Sequence, residues 1–247
     1  MTTYWIGWKR LTLPVVLFAC VCVKAADGMS PKTAAGMTPQ TAVANALRVN
    51  QPLDWRASLV ALRVMTSRRV KGTLRHHWED CSGAIIDVNP VTVLTAWHCF
   101  DGYNDLSKPP MVKLNNHWHS GRLRQTGQGM HADWAIVTVA GAHGSPSLLA
   151  DTSGNYLRLG GQIIIAGFAQ GEQALPRKLL VRKHCTIDRI GSQWSSSRCD
   201  SQQGLSGGPV LVHDGSTMRI IGVISARRND NELLFTSIAG VSTQIHD

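Results

Sequence analysis

Three short segments place a histidine, an aspartate and a serine in surroundings suited to nucleophilic catalysis: Leu94-Thr95-Ala96-Trp97-His98-Cys99, Ala132-Asp133-Trp134-Ala135-Ile136-Val137 and Gly204-Leu205-Ser206-Gly207-Gly208-Pro209-Val210. A serine hydroxyl is a weak nucleophile at neutral pH until a base takes its proton, and a neutral imidazole suits that task. His98 is the candidate base. The imidazole must present the correct nitrogen, and a carboxylate on its other N–H sets the tautomer and stabilises the cation that forms. Asp133 is the candidate orienter. It directly precedes the apolar run Trp134 to Val139, where a buried carboxylate would be costly without a partner. Attack by Ser206 on a carbonyl creates an oxyanion, and the backbone N–H groups of Gly204 and Ser206 can receive it. Each such donor contributes roughly 100- to 1,000-fold in rate. Glycine before the serine permits backbone angles closed to other residues, and Gly207-Gly208 lets substrate and neighbouring chain approach closely.

Taken singly, these would be a hydrogen-bonded structural histidine, a strand-start aspartate and a Gly-rich turn. Their order, flanks and accompanying cysteines favour a triad. Other groups carry less chemistry. His117-Trp118-His119 alternates as a strand does and reads as a surface histidine pair rather than a metal site. His76, His77 and His131 read as exposed loop residues, and Trp55, Trp78, Trp97 and Trp134 as core or rim packing. No metal or cofactor is expected: there is no H-E-x-x-H, and none of the four cysteines after residue 25 forms a C-x-x-C pair.

The elements that must position these residues are short. Apolar, β-branched runs recur between turn-like clusters at Leu59 to Val64, Ala84 to Asp87, Thr92 to Thr95, Ala135 to Val139, Gln162 to Ala166, Val210 to Val212 and Ile220 to Ser225. That punctuation predicts an all-β sandwich or barrel, and long amphipathic helices are hard to find after residue 50. Gly141 to Asn155, rich in Gly, Ser and Pro at its start, reads as the connection between two halves.

At the N-terminus, Lys9 and Arg10 precede the apolar run Leu11 to Val23, and the small residues Ala25 and Ala26 follow. Residues 1–25 therefore read as an export signal, too short for a firm membrane span. Attachment of a lipid at Cys20 is disfavoured by the bulky Phe18, and retention as an uncleaved anchor is a further alternative. Residues 26–50, rich in Ala, Thr, Pro and Gly, read as a linker or short pro-segment. Signal removal leaves Cys81, Cys99, Cys185 and Cys199, an even set that suggests disulfides in a secreted or periplasmic protein. Three pairings are open. Cys81 with Cys99 and Cys185 with Cys199 is expected, since each pair flanks a candidate catalytic segment. Cutting after Ala25 also removes Lys9, Arg10 and Lys24, leaving 22 basic against 16 acidic residues, a net charge of +6. Basic clusters such as Arg68-Arg69-Val70-Lys71 read as solvated faces, with no nucleic-acid-binding motif.

The three segments resemble the T-A-A-H-C, D-I-A-L and G-D-S-G-G-P motifs of chymotrypsin/trypsin-like serine peptidases, in that family's order of His, Asp, Ser. Cys81-Ser82-Gly83-Ala84-Ile85-Ile86 is similar to the strand before the family's histidine, whose cysteine bridges to the one following that histidine, here Cys99. The similarity runs from about Trp55 to Thr243 and includes Ile220 to Ser225 and Ala239 to Thr243. It implies two six-stranded antiparallel β-barrels with the site in the cleft between them. The N-terminal barrel, 51–145, would carry His98 and Asp133, and the C-terminal barrel, 146–247, Ser206.

The implied activity is a secreted serine endopeptidase acting through an acyl-enzyme. Its partners would be protein or peptide substrates and protein inhibitors, with no specific nucleic acid, no stable membrane span in the mature chain, and a monomeric state. Leu205 departs from the pattern: trypsin has there an aspartate that pairs with a newly freed amino terminus, and no Ile-Val-Gly-Gly sequence is present. This arrangement is more similar to bacterial trypsin-like and V8-like members. Asp200 and Ser201 lie at the spacing of trypsin's specificity pocket, which implies cleavage after Arg or Lys; Ser225 and Arg227 are further pocket candidates, and the alternative is that Arg227 pairs with Asp200 or favours acidic substrates. Two rivals stand against the peptidase. A catalytically silent, basic binding protein on the same fold is one. An α/β-hydrolase is the other, disfavoured because its acid and histidine must follow the serine and only 41 residues follow Ser206.

Overall fold

The structure is a computed structural model that describes residues 54–104, 108–141, 146–170, 177–229 and 231–241. The export signal and linker fall outside these residues, as do Ser242 and Thr243. Strands β1 (Leu59–Val70), β2 (Thr73–Val88), β3 (Val91–Thr95), β4 (Met111–Leu114), β5 (His117–Thr126) and β6 (Ala135–Val139) form one closed barrel in the order β1-β2-β3-β6-β5-β4. Then follow β7 (Leu149–Ala150), β8 (Gln162–Ala169), β9 (Lys178–Arg189), β10 (Ser195–Arg198), β11 (Pro209–His213), β12 (Met218–Asn229) and β13 (Glu232–Ser237). Of these, β11-β8-β9-β10-β13-β12 closes into a second six-stranded barrel through the β11–β12 pairing. The short β7, in the connecting stretch, adds to β12 in parallel. The expected pair of six-stranded antiparallel barrels is thus borne out.

The strands that carry the site are the ones whose residues leave little choice. In β3 every residue of Val-Thr-Val-Leu-Thr is buried, and β6 is buried at all but Thr138. β-branched side chains suit the pleated sheet and pack on both faces. These two strands pair in unbroken register from Val91↔Val139 to Thr95↔Ala135. Because Thr95 lies three residues before His98 and Ala135 two after Asp133, that register brings the two candidate side chains to one end of the barrel.

The first barrel's core gathers around Leu62, Val64, Ile85, Leu94 and Val137. The second's gathers around Ile163, Ile165, Ile187, Leu205, Leu233 and Phe235. Leu211, Ile220, Val223 and Ile238 belong to the same apolar cluster as the first barrel's core, so burial is continuous across the two. The described residues lie in one compact unit accordingly.

Candidate active site

Strand β3 ends at Thr95, and a single 3₁₀ turn, Trp97–Phe100, holds His98. Two ties fix that turn. Cys99 is disulfide-bonded to Cys81 of β2, and Thr95 Oγ1 donates a hydrogen bond to Ser82 O at 2.7 Å. Asp133 stands two residues before β6 and is fully buried. Its Oδ1 accepts the His98 backbone N–H at 2.8 Å, and its Oδ2 accepts from His98 Nδ1 at 2.7 Å. Ser225 of β12 donates its hydroxyl to the same Oδ2 at 2.5 Å. Three donors on one buried carboxylate offset its desolvation. With a carboxylate as partner, Nδ1 carries the proton and Nε2 is left with the lone pair that a base needs. The ring itself stays 25% exposed.

Ser206 sits between β10 and β11, in a turn built from backbone contacts. Ser82 N–H donates to Ser206 O at 2.7 Å. Gly207, at φ +81°, packs so closely on the histidine segment that a Cβ there would lie 2.2 Å from Thr95 Oγ1 and 3.0 Å from the Ala96 nitrogen. On its other side Gly207 N–H donates to Ile224 O at 2.8 Å, next to the serine that bonds Asp133. The serine turn is therefore flanked by the chain leading to His98 and by the chain bonded to Asp133. Among the described residues no hydrogen bond joins Ser206 Oγ to His98. Such contacts are often long in unliganded enzymes and tighten when substrate binds.

The amides of Gly204 and Ser206 have no backbone acceptor among the described residues. Gln203 O is held by Gln170 N–H at 2.8 Å, and Leu205 O by Gly208 N–H at 2.8 Å. In a planar trans peptide the N–H points opposite to the C=O. Both amides are thus turned away from those anchors.

A cavity of about 160 Å³ opens beside Ser206, lined by Ser201, Leu205, Ile224, Ala226, Arg227 and Leu233 among others. Of the four residues expected in a specificity pocket, Ser201 and Arg227 are there. The structure places the other two elsewhere. The Ser225 hydroxyl is committed to Asp133. Asp200 lies outside the cavity with its side chain 59% exposed, paired with Arg182 of β9 at 3.1 Å. The reason is local: neighbouring Cys199 is disulfide-bonded to Cys185 on that same strand, which brings Asp200 alongside the β9 cations. A larger cavity of about 620 Å³ adjoins Trp134 and includes His131, but it contains none of the triad candidates and reaches Val241, where the described residues stop.

The closest group of potential metal-ligating atoms among the described residues is Cys81, His98 and Cys99, and its two sulfurs are bonded to each other rather than present as thiolates. His117 and His119 lie on β5, opposite Leu114 and Val112. Two residues that matter here escaped sequence reasoning. Ser82 bonds Gly204 O, Phe168 N–H and Ser206 O, and Arg177 bonds Gly204 O as well. Ser82 lay within a motif already singled out, but nothing in its type marked it. Arg177, beside Lys178, looks like one more solvated cation.

The family profile described as a trypsin-like peptidase domain matches residues 81–223. The chain belongs to that family, and the fold and family together support a serine peptidase. No curated protein sequence matches. Among solved structures, the active form of the Rv3671c protease from M. tuberculosis superposes with a TM-score of 0.57 at 16% identity, covering 91% of this chain and 93% of that one. The thermostable serine protease AL20 from an extremophilic microorganism gives a TM-score of 0.57 at 15% identity, covering 78% and 96%. At such identities these matches establish the shared fold.

Proposed function

We propose that the chain is an exported serine endopeptidase in which His98, Asp133 and Ser206 act as a catalytic triad. Ser206 Oγ attacks the peptide carbonyl carbon while its proton passes to His98 Nε2, and Asp133 holds the Nδ1–H of the resulting imidazolium. The carbonyl oxygen, now negative, is met by the N–H groups of Gly204 and Ser206. The C–N bond breaks as His98 gives its proton to the leaving nitrogen, which leaves an ester on Ser206. Water, deprotonated by His98, then releases the acid product by the reverse sequence. The observation that carries this reading is the buried Asp133 carboxylate taking both N–H groups of His98, with the serine turn packed on the same segment.

The cavity beside Ser206 supports a small or medium apolar side chain before the scissile bond. Its size, about 160 Å³, and its walls of Leu205, Ile224, Ala226 and Leu233 favour such a group. The Asp200–Arg182 pair weighs against the Arg/Lys preference, because a carboxylate already neutralised outside the pocket does not select a substrate cation. Two disulfides fit an oxidising compartment, extracellular or periplasmic, as the export reading requires. No helix among the described residues is long and apolar enough to cross a membrane.

Digestion of a peptide library by the purified mature protein tests both parts. Cleavage after Ala, Val or Leu, lost in Ser206→Ala, is expected. A folded protein that cleaves nothing would favour the silent binding protein instead, a reading helped by the missing Ser206–His98 bond.

A further inference from the structure

We propose that Arg177 is a positioning residue that holds the oxyanion-binding turn in its productive shape by bridging the two barrels. The proposal rests on the serine-peptidase reading above. Arg177 lies just before β9 with its side chain 12% exposed. Nε and Nη2 both donate to Phe168 O, at 3.1 and 2.6 Å. Nη1 donates to Leu62 O at 3.1 Å and Cys81 O at 2.8 Å, and Nη2 also to Gly204 O at 2.9 Å. A guanidinium has five N–H groups in a planar fork, and this pattern engages all of them on four carbonyls. Leu62 and Cys81 belong to the first barrel, Phe168 to the second, and Gly204 to the serine turn.

Such placement is unfavourable for its own sake. Burial pushes the Arg177 pKa down to about 10, and the nearby Asp80 carboxylate stands at 3.9 Å, closer to Arg63 at 3.0 Å. The guanidinium stays charged at neutral pH, held mainly by carbonyl dipoles. A buried cation whose counter-ion stands at 3.9 Å and is shared with a closer Arg63 is weak evidence of a stabilising role and better evidence of a geometric one.

That geometry is set at Gly204. Its φ of +88° and lack of a side chain make it the easiest point in the turn for a peptide plane to rotate. The plane before it is held through Gln203 O, and the plane after it through Gly204 O, where Arg177 is joined by the Ser82 hydroxyl at 2.7 Å. Leu205, 1% exposed in the apolar core, brings no charge to anchor the turn from within. Without Arg177 a single neutral hydroxyl would hold the Gly204 carbonyl, and the peptide plane that links the two oxyanion amides could rotate, so that the Gly204 and Ser206 N–H groups would lose their fixed spacing.

The test compares Arg177→Gln and Arg177→Lys with the wild-type mature protein on its best fluorogenic peptide. Expected is a kcat roughly 10- to 100-fold lower with KM within about threefold, since an oxyanion contact acts in the transition state. A peptide boronate, whose adduct occupies the oxyanion site, should weaken in parallel while binding of the product acid stays unchanged. In Arg177→Ala, millimolar guanidinium should restore part of kcat. A folded Arg177→Gln with wild-type kcat, or a loss of kcat that merely tracks the unfolded fraction in a thermal melt, overturns the proposal. If Gln and Ala variants do not fold, Arg177→Lys decides: it keeps the charge but cannot reach four carbonyls, and an unchanged kcat overturns the idea. No hydrolysis by the wild type would sink the peptidase reading and this proposal together, whereas hydrolysis unaffected by Arg177→Gln sinks this one alone.

Discussion

The first barrel brings His98 and Asp133 to the candidate site, whereas the second brings Ser206, the Ser225 hydroxyl on Asp133 and a turn held largely by backbone contacts. His98 and Asp133 hang from the two most completely buried strands of the first barrel, and their partners are fixed by three hydrogen bonds to one carboxylate. The Gly204–Gly208 turn of the second barrel is held by Ser82, Thr95 and Ala96 packing and by Arg177, contacts that reach back to the first barrel. In the proposed mechanism, proton transfer is thus built on a sheet, while charge stabilisation depends on a loop whose shape is borrowed from its neighbour. Substitutions in the two regions should accordingly fail in different ways.

The largest effects belong to the proton-transfer side. Ser206→Ala and His98→Ala should each lower kcat by about four to six orders of magnitude with circular dichroism unchanged. Asp133→Asn, which presents the wrong tautomer, should lower it about 10⁴-fold. A loss below tenfold in any of the three would break the distinction between the regions. Next come the disulfides, with sequence separations of 18 and 14, which by loop-closure reasoning each contribute about 3 kcal/mol to stability. Denaturant titrations should show similar losses for Cys81→Ser/Cys99→Ser and Cys185→Ser/Cys199→Ser. Only the first pair, beside His98, should also lower the kcat of the protein that remains folded.

Substrate choice sharpens the comparison further. Peptides with Ala, Val or Leu before the scissile bond should exceed Lys peptides in kcat/KM by roughly 10- to 100-fold. Asp200→Asn should leave that ratio within twofold, whereas a collapse of Lys cleavage in that variant would restore Asp200 to the pocket. A further effect lies at the seam. Ser225→Ala removes one of three donors to Asp133, about 1–2 kcal/mol of a charge-assisted bond, and should lower kcat about tenfold with KM unchanged.

What the sequence disclosed divides along the same line. β3 and β6 were visible because buried Val, Ile and Leu in short runs admit few other readings, and β6 matches its expected bounds. β9 and β10 were not: Lys-Leu-Leu-Val-Arg-Lys is broken up by charge and Ser-Ser-Ser-Arg is polar, and both become strands through pairing with their neighbours, while β5 showed only in the alternation of His117-Trp118-His119. β2 begins at Thr73, well before its apolar part at Ala84, because the outer half of the β1–β2 hairpin is paired yet solvent-facing. Within the site, residue type and order pointed to His98, Asp133 and Ser206, while Ser82 and Arg177 act through contacts with backbone carbonyls that no motif encodes. Asp200 shows a related point: spacing from Ser206 locates its backbone, but the Cys185–Cys199 bridge and Arg182 bear on where its carboxylate goes.

The central claim is that Ser206 becomes a nucleophile because His98, held by Asp133, takes its proton. Intact-mass analysis after exposure of the mature protein to a fluorophosphonate tests it most directly. One adduct per chain, mapped to Ser206 and absent in His98→Ala, is the predicted result; a folded wild-type protein that stays unmodified, or one modified equally well without His98, would contradict it.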